Sequence, residues 1–405
     1  MSVVIAILGL AFLILVHEAG HFFTALAVGM RPRRFYVGFP PALVKTTRGG
    51  IEYGIGAIPL GGYVKIPGMH RPGPADVDVH FGRALHDEPR LVGPLERVKR
   101  ALAAGELDAA RAKLPQLEEA VAEAELTPEA ARAAERGLTE LGDALSSDAY
   151  WAQRVWKRIL VIFAGPGTNL LVAIVIFTLL FVIATGAYRL GFVLQANGTR
   201  TTAVVDSVLD GQPAQRAGLK PKDRIVAIDG RPVVPANIRK VIRESHGRPL
   251  TLTVVRHGRR ITLKPVSARK DTGDSLPTAF WKSIRLTGVA TRDTATSLAG
   301  LVHGKRKEVS STVGIVRAES NAVREGWRDY LAILGLISLS LALLNLLPLL
   351  PLDGGHIAFS VIEGIRGRAV AREVYERVSA VGLALVLLLF FVGLSNDIGG
   401  HTGGG

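Results

Sequence analysis

The stretch VHEAGH, Val16 to His21, decides how the rest of this chain is read. It closes an apolar run, Val3 to Val16, that reads VVIAILGLAFLILV. On a helix, His17 and His21 are four residues apart and present both imidazoles on one face, one turn apart. Two neutral imidazole nitrogens at that spacing can share one tetrahedral metal ion, zinc by preference. Glu18 stands beside the first of them, where it can act as general base toward a metal-activated water. Ionisable groups inside an apolar span are costly, so three together point to function rather than packing.

The chain has 405 residues, a formal net charge of +14 and no cysteine. Without cysteine there is neither a disulfide framework nor a thiolate metal site, so a metal must be held by His and carboxylates. The positive charge fits short cytoplasmic loops rich in Lys and Arg, and no nucleic-acid partner is expected. Four apolar segments are long enough to span a bilayer: one within 1–30, one within 154–188, one within 329–356 and one within 378–396. Arg31, Arg33 and Arg34 follow the first segment, and no charged region precedes it, which speaks against a signal peptide.

Residues 31–66 include LVKTTRGGIEYGIGAIPLGGYVKI, Leu43 to Ile66. Short β-prone pieces broken by Gly49-Gly50 and by Pro59 to Gly62 read as hairpins, with a strand edge able to pair with an extended substrate. In the segment 67–153, residues 67–93 read as a loop and 94–146 as an insert of two or three helices, with Pro115 as a break. The insert is either a spacer or a docking point for a protein partner. Residues 195–270 read as a compact αβ domain of PDZ type, and 271–328 as a linker with an amphipathic stretch from Phe280 to Val302. A loop is expected over 357–377 and a tail over 397–405.

The third apolar segment ends in NLLPLLPLDGGH, Asn345 to His356. Pro348 and Pro351 cannot continue a regular helix, and broken backbone at membrane depth implies a site buried in protein or lining a wet cavity. Asp353 is therefore the natural third ligand, with His356 the weaker candidate. All short basic clusters fall on one side if four spans leave both termini outside. That topology brings His17, His21 and Asp353 to similar depth.

Together these motifs resemble the site-2 protease family of intramembrane zinc metalloproteases, in its bacterial PDZ-containing branch. The matching pieces are HEAGH (His17–His21), PLGGYV (Pro59–Val64), GPGTN (Gly165–Asn169), the PDZ-like 200–270 and NLLPLLPLDGGH. The resemblance implies Zn2+ on His17, His21 and Asp353 and Glu18 as the catalytic acid/base. It also implies that Asn345 holds the substrate backbone and that a re-entrant β-loop over Ile51–Val64, with Gly61, Gly62 and Tyr63, presents the substrate. Substrates would be single-span membrane proteins, such as anti-sigma factors already trimmed outside. The helical insert departs from the family pattern.

The expected fold is thus a polytopic α-helical membrane protein with four transmembrane helices. It adds a membrane-associated β-hairpin region, one extracytoplasmic PDZ-like αβ domain and a small helical cytoplasmic insert. The expected activity is zinc-dependent endopeptidase cleavage within transmembrane segments, in contact with membrane lipid. An inactive membrane PDZ scaffold and a metal transporter are the rival readings.

Overall fold

The computed structural model describes residues 2–184, 186, 188–197, 200–302, 326–368, 370 and 372–399. The chain divides into two compact units, Thr178–Ser283 and the remainder. Three helices among the described residues are long and apolar enough to cross a membrane: α1 (Ser2–Ala27), a second at Val155–Val182 and a third at Trp327–Asn345. At about 1.5 Å per residue, the first two exceed the ~30 Å hydrocarbon core and the third nearly matches it. The expected fourth span falls on a helix at Arg372–Gly399.

After α1 the chain forms two long strands, β1 (Arg34–Arg48) and β2 (Ile51–Lys65), joined by Gly49-Gly50 with both φ values positive. Their register folds back on itself. Residues 34–37 pair with 52–55 on one side and with 62–65 on the other, while 42–48 pair with 51–56. The ribbon is thus four strand segments wide, and Gly62–Lys65 is its edge, paired only with 34–37 among the described residues.

Four helices follow: α2 (Pro74–Asp87), α3 (Val92–Ala103), α4 (Leu107–Glu123) and α5 (Pro128–Ala144). They share a core of their own built from residues such as Val77, Phe81, Leu95, Leu117 and Leu141. Two expectations are corrected by these helices. The loop expected over 67–93 contains α2, because Val77, Phe81 and Ala84 recur at helical spacing and bury one stripe. Its first turn is secured by Pro74 at N1 and by Asp76, which accepts from Gly73 N at 2.7 Å. The helix α4 also runs through Pro115 rather than breaking there.

The insert is fastened to the ribbon by charge. Arg33 donates to Asp143 at 2.7 Å and to Asp148 at 3.0 Å, and Lys65 reaches Glu140 at 2.8 Å and Asp143 at 3.2 Å. Burial disfavours the charged form of Lys65, but Glu140 and Asp143 outweigh it and hold its proton above the usual lysine range. Burial likewise works against Asp148, whose carboxyl is nevertheless held below its usual range by Arg33 and Ser146.

The helix α6 (Val155–Val182) then crosses α1 where Gly20 meets the backbone of Ala164, an approach that only a residue without a Cβ allows. In the second unit, α7 (Pro213–Arg216) and α8 (Pro235–Glu244) accompany a sheet of order 259–262, 252–256, 224–228, 200–208, 192–197. His257-Gly258, both at positive φ, make the tight turn expected between two of these strands. This unit has a continuous apolar core, and its buried Asp223 accepts two bonds from Arg256, each at 2.7 Å. The amphipathic stretch expected after it is α9 (Leu276–Val302). The remaining expected linker lies largely in 303–325, and most of the tail in 400–405, both outside the described residues.

The third apolar segment differs from expectation. α10 (Trp327–Asn345) stops at Asn345, and Asp353 opens a separate helix, α11 (Asp353–Arg366), which runs from the end of that segment into the stretch expected as a loop. The break follows from Pro348 and Pro351. Gly354 packs its bare Cα on the carbonyls of Leu346 and Leu347, so the turn before α11 is compact. Arg158 of α6 bonds Glu363 of α11 at 2.6 Å, and Tyr150 OH meets Ser360 at 3.1 Å. These contacts hold the second half of α11 against α6 and the turn that precedes it. The last helix is α12 (Arg372–Gly399).

Candidate metal centre

The helical spacing of VHEAGH brings the rings of His17 and His21 to 4.9 Å, with their Nε2 atoms 3.3 Å apart. The first residue of α11, Asp353, places Oδ2 at 3.1 Å from His17 Nε2 and 3.4 Å from His21 Nε2. The three ligand atoms therefore form a nearly equilateral triangle. A tetrahedral zinc with bonds of about 2.0–2.1 Å has edges of about 3.3 Å, so the triangle has the size of one tetrahedral face. Gly165 of α6 flanks it: a Cβ there would collide with both imidazoles, meeting His17 Nε2 at 2.8 Å.

The hydrogen bonds around the imidazoles point the same way. His21 Nδ1 donates to the carbonyl of Val161 at 2.8 Å, which leaves the lone pair on Nε2. His17 Nδ1 faces the side-chain amide of Asn169 at 3.4 Å, and the amide oxygen of this fully buried residue has no partner as oriented. The two ends of an amide are told apart by their hydrogen bonds. Turning the amide over gives that oxygen the His17 Nδ1–H and leaves the lone pair of His17 on Nε2 as well. Two lone pairs and a carboxylate oxygen then converge in an apolar surround. Such a set repels itself without a cation and fits zinc in both donor type and size.

A cavity of about 340 Å³ opens over this triangle, lined among others by Glu18, Val64, Ile66, Asn345 and His356. Glu18 faces Gly62 of the edge strand so closely that a Cβ at 62 would collide with its Cγ. Thus Glu18 and Asn345 line the cavity over the triangle, and Gly62 lies against Glu18. Tyr63 does not. The pleat that turns Gly62 and Val64 toward the cavity sends Tyr63 to the other face, where it lines a separate cleft against the insert. The side-chain surroundings of Gly61 lie outside the described residues. His356 borders the cavity but stands outside the triangle and is hydrogen-bonded to Tyr375 OH.

Sequence reasoning alone treats Asn169 as an ordinary interhelical polar contact and passes over Val64 and Ile66. The signal for Asn169 is its place, four residues beyond Gly165 on one helix face. For the two apolar residues it is the strict alternation Gly62, Val64, Ile66.

With fold and site described, the class is clear: a helical membrane protein in which the two histidines of H-E-x-x-H and one carboxylate form a group that could hold a metal ion. The family model for peptidase family M50 matches residues 5–389, and the chain belongs to that family, the site-2 proteases. A protein of Agrobacterium fabrum provisionally named a zinc metalloprotease is 29% identical over 98% of this chain and 95% of its own length. One of Neisseria meningitidis with the same provisional name is 28% identical, covering 97% of each chain. A protein of Enterococcus faecalis, provisionally named a protease, is 25% identical over 98% of each. The protein is a zinc metalloendopeptidase of a membrane, which sets aside the inactive-scaffold and transporter readings.

Asn169→Leu, of similar volume, removes the acceptor for His17 Nδ1 and is expected to weaken zinc binding about 10- to 100-fold. Asn169→Asp keeps an acceptor and is expected to retain the metal. Competition against a chelator of known affinity measures both. Equal loss in the two variants would contradict the amide orientation.

Proposed function

We propose that His17, His21 and Asp353 hold the zinc, and that Glu18 is the catalytic acid/base for peptide-bond hydrolysis inside or at the edge of the membrane. Bound there, the zinc supplies Lewis acidity toward the scissile carbonyl and toward water. Glu18 removes the proton of the attacking water, holds it on its carboxylate, and delivers it to the departing amide nitrogen. The observation that carries this reading is the outer strand edge Gly62–Lys65, which among the described residues pairs with no strand beyond 34–37 and lies directly against Glu18, whose carboxylate accepts from Val64 N–H. A helical substrate hides its carbonyls in its own hydrogen bonds, so it must unwind before attack. An added strand on that edge gives the unwound backbone new partners. We read Asn345, at the end of α10 and on the cavity wall, as the group that holds the other side of that backbone.

The family acts on membrane-embedded substrates, and we read this chain as cleaving single-span proteins such as trimmed anti-sigma factors. We read α12 as the fourth span, with both termini outside. Arg31 to Arg34 and Arg366 to Arg377 then face the cytoplasm together with the insert, and the 195–270 domain, of PDZ type, is extracytoplasmic. The basic residues of the short loops support this orientation. In that position the PDZ-like domain excludes substrates with bulky outer domains and supplies none of the chemistry.

Glu18→Gln keeps all three metal ligands, so it is expected to bind zinc as the wild type does and to lose cleavage of a membrane reporter by at least about 100-fold. Near wild-type cleavage by this variant would remove Glu18 from its role. The chain has no cysteine, so single cysteines report topology cleanly. A cysteine at Lys240 is expected to react with an impermeant reagent in intact cells, and one at Arg132 only after lysis. The reverse pattern would invert the orientation.

A further inference from the structure

The insert plays no part in the chemistry above, yet it is ion-paired to the strand that borders the catalytic cavity. Between α2, α5 and residues 63–72 lies a cleft of about 450 Å³. Val64, Ile66 and Met69 line both this cleft and the catalytic cavity. The cleft and the cavity therefore share the edge strand and the turn that follows it as a common wall. A chain added along Gly62–Lys65 runs beside the residues that form this wall.

The charges of the cleft are unequally spent. Lys65 is committed to Glu140 and Asp143. Asp76 is committed to the backbone of Gly73 and to His70 at 3.6 Å. Arg136 is different: its Nε donates to Arg132 O at 3.1 Å, and its guanidinium has no acidic partner among the described residues. His80, on the neighbouring helix α2, lines the same space. Once internal pairs are subtracted, what is left for an occupant is a forked cation and an imidazole. A guanidinium fork matches a carboxylate in shape and charge.

We propose that this cleft is a second binding site, which takes an acidic peptide segment: the cytoplasmic flank of the substrate chain. In one respect this rests on the proposed function, since the occupant is named as the substrate. The insert then reads extramembrane sequence, at a distance from the zinc, and gives the enzyme a specificity that its transmembrane cavity cannot supply. Apolar spans resemble one another, whereas their polar flanks differ in charge.

The test uses the full-length Glu18→Gln chain in detergent and short fluorescent peptides rich in Asp and Glu, in Asn and Gln, or in Lys and Arg. Anisotropy is expected to show the acidic peptide binding most tightly. Arg136→Glu, at an exposed position, is expected to weaken that peptide about fivefold, the upper range for an exposed ion pair. It should leave the Asn/Gln peptide unchanged and favour the Lys/Arg peptide, while Arg136→Lys keeps the acidic preference. Equal binding of all three peptides, or binding of the acidic one untouched by Arg136→Glu, would overturn the site. Cleavage of a reporter by the wild type is measured in parallel. Acidic-peptide binding without any cleavage would overturn the proposed function and leave the cleft; cleavage with no acidic preference would overturn the cleft alone.

Discussion

Three electron-rich atoms, from His17, His21 and Asp353, converge within 3.1–3.4 Å in a largely apolar interior. A bound cation, as proposed above, makes that arrangement favourable, and the fold is arranged so that it can form. The two imidazoles come free with the helix, one turn apart on α1. The carboxylate has to be brought from more than three hundred residues away. A compact proline-broken turn delivers it at the first residue of α11, and the Arg158–Glu363 bond holds that helix in place. Gly20 and Gly165 let α6 come close enough to line the triangle without filling it. Two hydrogen bonds, donated by the rings to the carbonyl of Val161 and the side-chain amide of Asn169, then set which nitrogen of each ring keeps its lone pair.

Much of this is legible in the sequence, and the reason is local. H-E-x-x-H carries its geometry in its spacing, and apolar length reports a span without knowledge of the neighbours. Asp353 stands out because a carboxylate beside two glycines, after two prolines, has no ordinary role at the end of an apolar helix. What stays hidden depends on contacts between distant residues. Tyr63 reads as part of a substrate-binding motif. Its face is set by the folded-back register in which residues 34–37 pair on both sides, and no local pattern announces that. The helix α2 is masked by Pro, Gly and His around a stripe of only a few apolar residues. Asn169 looks like one more polar group in a helix until its unpartnered oxygen and the His17 ring are seen together.

The edge strand borders two different spaces, the cavity over the triangle and the cleft against the insert. On one side Gly62 lets the strand edge touch Glu18, so in the proposed mechanism an unwound chain meets backbone partners and the base at the same place. On the other side of the same strand, alternation places Lys65 against the insert, and Tyr63 faces the cleft between them. One strand thus joins the chemistry to a soluble element, through the period of two that every β-strand has. This arrangement also explains why the insert is ion-paired to Arg33 and Lys65 rather than free at the end of a linker. Its contacts fall on the strand that has to be held still.

The most direct test of the central claim is X-ray absorption at the zinc edge of the purified wild-type chain, read together with metal content. The account predicts one zinc per chain, with two imidazole nitrogens and otherwise oxygen ligands at about 2.0–2.1 Å. It also predicts loss of that zinc in Asp353→Ala. A spectrum that requires three imidazoles, with His356 as a ligand in place of Asp353, or a zinc that survives Asp353→Ala unchanged, would contradict it.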